Sequence, residues 1–498
     1  MNWIAARRLW AEEKTSNNMS TMVIDGKPAT ARSGATLEIH DPATGELVDT
    51  VPQAGVEETR EAIAAAEAAF RGWADMAPHK RSQLLLKAAG VVRQHLDEVA
   101  ALLTREQGKP IRDSKIEAER FADNVEFYAG LTSSGAVRGQ HVPLSVPGAF
   151  GIVVRRPLGV VGAIVPWNFP LTLLANKIAP ALATGNTVVA KPASTTPLST
   201  IRLVELMNEA GLPPGVLNVV VGPGSVVGEE LIRNPTVRKI GFTGETETGK
   251  RVMANAAPEL KRVTLELGGS DPAIVCEDAD LEVAAKAIAI GRFFNAGQAC
   301  LAIKRVYVLD EVAEDLVGRV TARAKKLKVG PGMDQASQMG PMHTRGGRDT
   351  IEAQLKDAVE RGARLVAGGG RPSGPNFERG FFIEPSVITD VPEGARVWKE
   401  ETFGPLLPIA RVKDLDEAIA RANDSPFGLG SSIFTRNLKK AQQAIDRLDA
   451  GYTWVNAIQV AYDELPFGGV KHSGFGKEHG VEVLDHYTDQ KSVVMQGV

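Results

Sequence analysis

From Val160 onward, continuous apolar runs alternate with amphipathic ones, and no other feature of the chain limits its fold as strongly. VVGAIVP, NTVVAKP, VLNVVVG and VRKIGF read as strands, while LTLLANKIAPALATG, the run from Leu198 to Ala210 and VGEELIRN read as the helices between them. Strands that are apolar on both faces must be covered on both, and helical crossovers supply that cover when the strands run parallel. A doubly wound parallel sheet is expected. A second alternating region runs from about Arg262 to Asn456, so two such α/β domains with a cleft between them are expected. The length of 498 residues suits this, since one core typically serves roughly 100–200 residues.

Other segments differ in character. Residues 55–136 repeat alanine, leucine and charged residues at helical spacing, and Pro78 and Gly108-Lys109-Pro110 divide them into three helices. HVPLSVPGAFGIVVRRPLG holds a Pro-Gly turn between β-prone runs and reads as a hairpin leaving the domain surface. HYTDQKSVVMQ near the C-terminus alternates like one more strand, too short to stand alone and suited to an edge for a partner chain. The first eighteen residues carry Arg7, Arg8, Glu12 and Glu13 without the apolar core of a secretory signal. They read as a loose extension.

Charge and cysteine content exclude several classes. With 57 basic and 60 acidic residues the chain has no nucleic-acid footprint, and no apolar run reaches the ~18 residues a membrane helix needs. Its two cysteines cannot build a disulfide framework, and no CxxC or HExxH spacing points to a metal. A reducing, cytoplasmic setting is expected.

Several short stretches could carry chemistry. VGPGSVVGEEL places Gly222, Gly224 and Gly228 between a strand and a helix, and GFTGETETGK adds Gly244, Glu245 and Gly249 after the next strand. Such loops let a phosphate approach helix N-termini, although a plain strand-to-helix turn explains either one as well. In VPWNFPL, Pro166 and Pro170 fix the backbone around Trp167, Asn168 and Phe169. Asn168 is then a rigid amide donor of the kind an oxyanion requires, or a turn residue among core aromatics. VTLELGGSDP leaves Glu266 among apolar residues; a carboxylate there is either ion-paired or has a raised pKa, the second being the usual condition of a general base. FFNAGQACLAIKR centres on Cys300, either a packing residue or a nucleophile. KEETFGPLLPI offers Glu401 and Phe403, and PFGGVKHSGFGKEHG reads as a glycine-rich loop that enters a helix at Glu478.

Taken in order over nearly the whole chain, PWNFP, KPAS, GFTGETETG, LELGG, GQAC, EETFGP and PFGGVKHSGFGKE resemble the aldehyde dehydrogenase superfamily. The resemblance implies NAD(P)-dependent, non-acylating oxidation of an aldehyde through a cysteine thiohemiacetal and thioester. Cys300 would be the nucleophile, Asn168 the oxyanion donor and Glu266, 34 positions before Cys300, the base. A thiol of pKa ~8.5 is only about 3% ionised at neutral pH, so a site that lowered it to about 7 would gain roughly fifteenfold in thiolate. Lys177 and Glu478 match a proton relay. Pro166, Trp167, Lys191, Ser194, Gly224, Gly228, Gly244, Glu245, Gly249, Leu267, Glu401 and Phe403 match the cofactor site, with Lys191 and Glu401 on the two riboses and Phe403 beside the nicotinamide. By resemblance, residues 22–138 and 158–266 form a cofactor-binding domain and 267–475 a catalytic domain. Residues 139–157 and 484–498 form an oligomerisation arm, implying a homodimer or homotetramer. Residues 1–21 are the loose extension.

Three departures refine this. Where NAD-preferring members carry a glutamate that repels a 2′-phosphate, this chain has Ser194, so NADP is expected to be accepted as well as NAD, with a preference for NADP left open. Where the pyrophosphate loop usually has serine, it has Glu245, a carboxylate unfavourable beside phosphate unless it points away. Where one type of succinic semialdehyde dehydrogenase carries arginines, it has Asn176 and Phe294, so no matched clamp for a substrate carboxylate is expected. An apolar or neutral tunnel lined by Phe169, Leu173, Phe294, Leu301 and Phe467 is expected instead. The alternatives are a semialdehyde dehydrogenase, of the succinic or CoA-acylating type, and a non-catalytic structural member; the intact Cys300, Asn168 and Glu266 disfavour the last. Cys276 reads as a buried strand residue.

Overall fold

In the computed structural model, residues 20–134 and 139–497 are described; the expected N-terminal extension lies outside them except for its last two residues. Two sheets carry the architecture. At the centre of the first, which has eight strands, five parallel strands lie in the order Leu217–Val219, Thr187–Lys191, Val160–Ile164, Val237–Thr243 and Arg262–Glu266. Every residue of Val160–Ile164 and Thr187–Lys191 is buried, as strands covered on both faces require. The short antiparallel strands Met22–Ile24 and Lys27–Ala29 extend one edge, and Gly474–Phe475 the other.

From Val160–Ile164 the chain winds outward through the next two strands and then returns to the opposite side. The order therefore reverses between Val160–Ile164 and Val237–Thr243. At such a reversal the connections diverge and leave a crevice at the carboxyl ends of the strands. The stretch from Val165 to Asn168 and the pair Gly244 and Glu245 leave the sheet at that crevice.

The second sheet has seven strands in the order Arg364–Ala367, Ser386–Thr389, Leu406–Val412, Ile303–Leu309, Asp271–Val275, Gly430–Phe434 and Tyr452–Val455. All are parallel except Arg364–Ala367. Each sheet packs its own apolar core. Only residues 267–270 separate Glu266, which ends a strand of the first sheet, from Asp271, which begins a strand of the second. Cys300 lies just before Ile303–Leu309, and Glu401 and Phe403 lie just before Leu406–Val412. The amino edge of the second sheet thus meets the carboxyl edge of the first.

The hairpin strands Gln140–Pro143 and Ala149–Pro157 form a separate three-stranded sheet with Thr488–Gln496. The final strand's partner is the hairpin of its own chain, and Gln140–Pro143 is exposed throughout. No helix among the described residues is long and apolar enough to cross a membrane.

Two local expectations need correction. Residues 56–134 form four helices, Val56–Ala74, Pro78–Gln94, Leu96–Gln107 and Ile111–Ser134. The extra break is at His95, whose backbone leaves the helical region (φ −113, ψ 18) while its ring Nδ1 sits 2.9 Å from the Val91 carbonyl. Glu478 does not begin a helix but forms an antiparallel bridge with Phe467. Gly476, His479 and Gly480 have φ of 80°, 58° and 70°, and left-handed residues on both sides of Glu478 prevent a right-handed helix there.

Candidate active site

The proline-bounded turn after Val160–Ile164 holds Asn168 almost fully buried. Its backbone carbonyl accepts from Lys109 Nζ at 2.7 Å and from Asn295 Nδ2 at 3.0 Å. Lys109 is itself paired with Glu117 at 2.5 Å, and the other Glu117 oxygen accepts from the Leu171 N–H at 2.9 Å, an otherwise unpaired donor in the first turn of the helix Pro170–Ala183. Asn168 Nδ2 gives one hydrogen to the Gln298 carbonyl at 3.0 Å. Its second hydrogen remains for another acceptor in the cleft.

The segment before Cys300 is bent to reach this turn. Asn295, Ala296 and Gly297 have φ of 50°, 53° and 72°, three left-handed residues in succession. Two are not glycine, a conformation that persists only where surrounding bonds hold it. Here Asn295 bonds to both the Asn168 and Gln298 carbonyls, Gln107 donates to Asn295 at 3.2 Å, and the Gln298 amide donates to the Asn295 carbonyl. Cys300 follows, half-buried. Burial pushes its thiol up to about 12, with Lys304 pulling it down and Glu266, Asp271 and Glu401 pushing it further up. Cys276 is fully buried and likewise pushed up to about 11 by burial.

Glu266 resolves its two readings toward the raised carboxyl. It is almost fully buried, and neither oxygen meets a protein donor. Burial first, then the Glu478 charge, holds it well above the usual carboxylate range, against pulls from Lys177 and Lys477. One oxygen lies against Gly468, where a Cβ would stand 2.4 Å away. Lys177 Nζ pairs with Glu478 at 2.7 Å, with Thr243 Oγ1 at 2.6 Å and with the Leu173 carbonyl at 3.3 Å. Asn176 Nδ2 donates to the other Glu478 oxygen at 3.1 Å. Asn176 thus serves to hold Glu478.

At the carboxyl edge of the first sheet, Lys191 is buried at the end of its strand. Its methylenes lie over Gly228, its ammonium donates to the Pro192 carbonyl, and burial pulls it down to about 8. Ser194 Oγ donates to the Gly222 carbonyl at 3.0 Å. Gly224 opens a π-helical turn that runs into the helix Glu229–Arg233, and a side chain there would meet nothing within 4 Å. Glu245 is exposed at the start of the helix Thr246–Ala256, while Gly244 donates its N–H to the Glu266 carbonyl. Gly249 has a packing reason instead: a Cβ there would lie 2.4 Å from Leu267 Cδ2. Trp167, which follows Pro166 at the strand end, stacks on His343 (4.5 Å, 13°) and meets Phe403 edge-on at 5.7 Å.

His343 was not legible as a site residue. Burial pulls it down to about 4, so the ring is neutral. Its Nδ1 faces the Gln107 carbonyl, which can only accept, and Nε2 then accepts from Thr195 Oγ1 at 2.8 Å. Among the apolar residues, Phe169 and Phe294 stack at 5.9 Å. Cys300 and Leu301 pack against a cluster of Leu429, Trp454 and Phe467. Leu173 is buried.

The profile of the aldehyde dehydrogenase family matches residues 29–493. Among solved structures, an NADP-dependent enzyme of E. coli is 38% identical, covers 96% of this chain and 98% of its own, and superposes with a TM-score of 0.93. An NAD-dependent aldehyde dehydrogenase from Sinorhizobium meliloti is 37% identical (97% and 95%, TM-score 0.93). A betaine aldehyde dehydrogenase from Staphylococcus aureus, in complex with NAD+, is 35% identical (96% and 95%, TM-score 0.92).

Proposed function

The chain belongs to the aldehyde dehydrogenase family and oxidises an aldehyde with NAD(P), and from that premise we propose how its residues divide the work: Cys300 as nucleophile, Asn168 as oxyanion donor and Glu266 as base. The observation that carries the assignment is the state of Glu266, a buried carboxyl with no protein donor on either oxygen. A structural carboxylate would be paired.

The dinucleotide fits the first sheet. A buried Lys191 ammonium with no carboxylate partner among the described residues suits ribose hydroxyls, and Gly224 leaves open ground at the start of a helical turn. Lys191, Ser194, Gly224, Gly228 and Trp167 would hold it from this side, with Glu401 and Phe403 from the second sheet. Bound there, NAD(P) supplies the two-electron acceptor for hydride from the substrate carbon. Gly244 and Gly249 are kept as backbone that lets Glu266 and Leu267 approach, and exposed Glu245 stays clear of the phosphates by pointing to solvent.

Burial keeps the Cys300 thiol protonated, so attack requires a base. Glu266 has the largest effect of any carboxylate on that thiol; in its ionised form it takes the thiol proton as the sulfur–carbon bond forms. The oxygen of the aldehyde then carries the charge, and the free hydrogen of Asn168 Nδ2 stabilises it. Once the hydride has left, the carbonyl re-forms as a thioester on Cys300. Glu266 gives up the thiol proton and, ionised again, takes a proton from water as that water attacks, the sulfur–carbon bond breaks, and the carboxylic acid leaves. The Lys177–Glu478 pair beside Glu266 passes the proton outward.

The apolar residues and the absence of arginine at Asn176 and Phe294 support an uncharged aldehyde as substrate, lined by Phe169, Leu173, Phe294, Leu301 and Phe467. The exposed edge Gln140–Pro143 supports self-association as a homodimer or homotetramer, and two free cysteines suit a cytoplasmic setting. The test of the nucleophile is Cys300→Ala: aldehyde oxidation should vanish while NADPH still binds by fluorescence. Retained turnover would remove Cys300 from the reaction.

A further inference from the structure

Lys304 lies inside FFNAGQACLAIKR but was given no role there, and it is among the largest fully buried side chains. A lysine ammonium has three hydrogens to place. Here they go to the Gly269 carbonyl at 2.7 Å, the Cys300 carbonyl at 2.8 Å and Glu401 Oε1 at 2.6 Å. The ammonium also lies 5.5 Å from the centroid of the Phe403 ring. A buried lysine could satisfy itself on one neighbouring loop. This one instead ties the nucleophile's own peptide, four residues before it, to two segments distant in sequence, the link that follows Glu266 and the segment of Glu401 and Phe403.

Glu401 is arranged to match. Its Oε1 takes both Lys304 and the Gly269 N–H at 3.0 Å. Its Oε2 has no hydrogen-bond partner among the described residues, and the side chain is 25% exposed. One oxygen is thus anchored by Lys304 and Gly269, while the other lies beside Gly268 and is left without a protein donor.

We propose that Lys304 is a positioning residue that registers the nucleophile to the cofactor, holding the Cys300 backbone and the Glu401 carboxylate in one frame so that neither moves without the other. The proposal rests on reading Cys300 as the nucleophile and Glu401 as a ribose ligand. It has a second effect through space. Of the charged groups around the thiol, Lys304, Glu266, Asp271 and Glu401, only Lys304 favours thiolate.

The full-length enzyme tests this with Lys304→Met, Glu401→Gln and the double variant, which leaves no buried partner charge unpaired should the single lysine variant fail to fold. Two readouts do not depend on turnover: iodoacetamide alkylation of Cys300 without cofactor, read by intact mass at fixed alkaline pH, and NADPH affinity by fluorescence. Removing one nearby positive charge should slow alkylation about three- to tenfold, in Lys304→Met relative to wild type and in the double variant relative to Glu401→Gln. Each single variant should weaken NADPH binding about tenfold, and the double variant should bind no worse than Glu401→Gln, because Lys304 acts through that carboxylate. Unchanged alkylation, or losses in affinity that simply add, would overturn the proposal and leave Lys304 a satisfied buried lysine. If Glu401→Gln itself leaves NADPH affinity unchanged, the reading of Glu401 fails and the proposal with it; if Glu401→Gln weakens binding but Lys304→Met changes neither readout, only the proposal fails.

Discussion

Replacing Glu266 by leucine separates a functional carboxylate from a structural one, because the two roles predict opposite changes in stability. Glu266 is buried with both oxygens unsatisfied by protein donors, and leaving a polar group in that state costs about 1–3 kcal/mol. Leucine is of similar size and brings no polar atom, so Glu266→Leu should stabilise the fold by about that amount. The pH dependence follows from the raised carboxyl. A group protonated more readily in the folded than in the unfolded chain contributes most below its unfolded pKa of about 4.3, and that contribution is lost as pH rises toward the folded value. The advantage of Glu266→Leu should therefore widen between about pH 5 and pH 8, by at most ~1.4 kcal/mol per unit. Over the same range aldehyde oxidation should fall by roughly 10²–10⁴, the usual worth of a general base. Urea unfolding at both pH values, with steady-state assays on the same preparations, measures all three quantities. A variant less stable than wild type by ~2 kcal/mol or more at both pH values would show that Glu266 is a partnered structural charge, and the reasoning would fail.

Two further outcomes are expected. In the cofactor-free enzyme, a thiol near 12 should react with iodoacetamide about 10²-fold more slowly than a free thiol at neutral pH, after allowing for the greater nucleophilicity of the more basic thiolate. The rate should climb about tenfold per pH unit without a plateau below about pH 10; a plateau near neutrality would contradict the burial argument. Ser194→Glu should shift preference from NADP toward NAD, since a carboxylate there would meet the 2′-phosphate as a like charge. The ratio of kcat/KM for the two cofactors reads this, and an unchanged ratio would show that Ser194 does not face the adenosine ribose.

What could be read in advance was local. The apolar runs from Val160 to Phe242 announce a parallel sheet because burial on both faces leaves no polar alternation, and PWNFP marks a rigid turn because two prolines restrict its backbone. Residues whose roles depend on distant segments were invisible. Lys109 looked like part of a helix breaker, yet its ammonium crosses to Asn168. Asn176 looked like a missing arginine and holds Glu478. Glu478 was misplaced on a helix because the left-handed turns around it include His479, a residue with no glycine signal. Gly249 looked like a phosphate contact, and its small size is explained by the Leu267 side chain beside it. The direction of the Cys300 shift could not be assigned from sequence, since burial of a thiol is a property of packing and not of neighbours in sequence.

The meeting of the two sheets also bears on how such a protein can vary. Asn168 and Glu266 stand at the carboxyl edge of the first sheet, and Cys300 and Glu401 at the amino edge of the second, laced together by Lys109, Asn295 and Lys304. Substitutions at that seam alter several contacts together. Ser194 lies outside it, at the end of a neighbouring strand, and Phe294 turns toward Phe169. On the proposed assignment, cofactor preference and substrate shape lie on parts of the molecule that can change one at a time, while the residues proposed to break and make bonds are bound to change together or not at all.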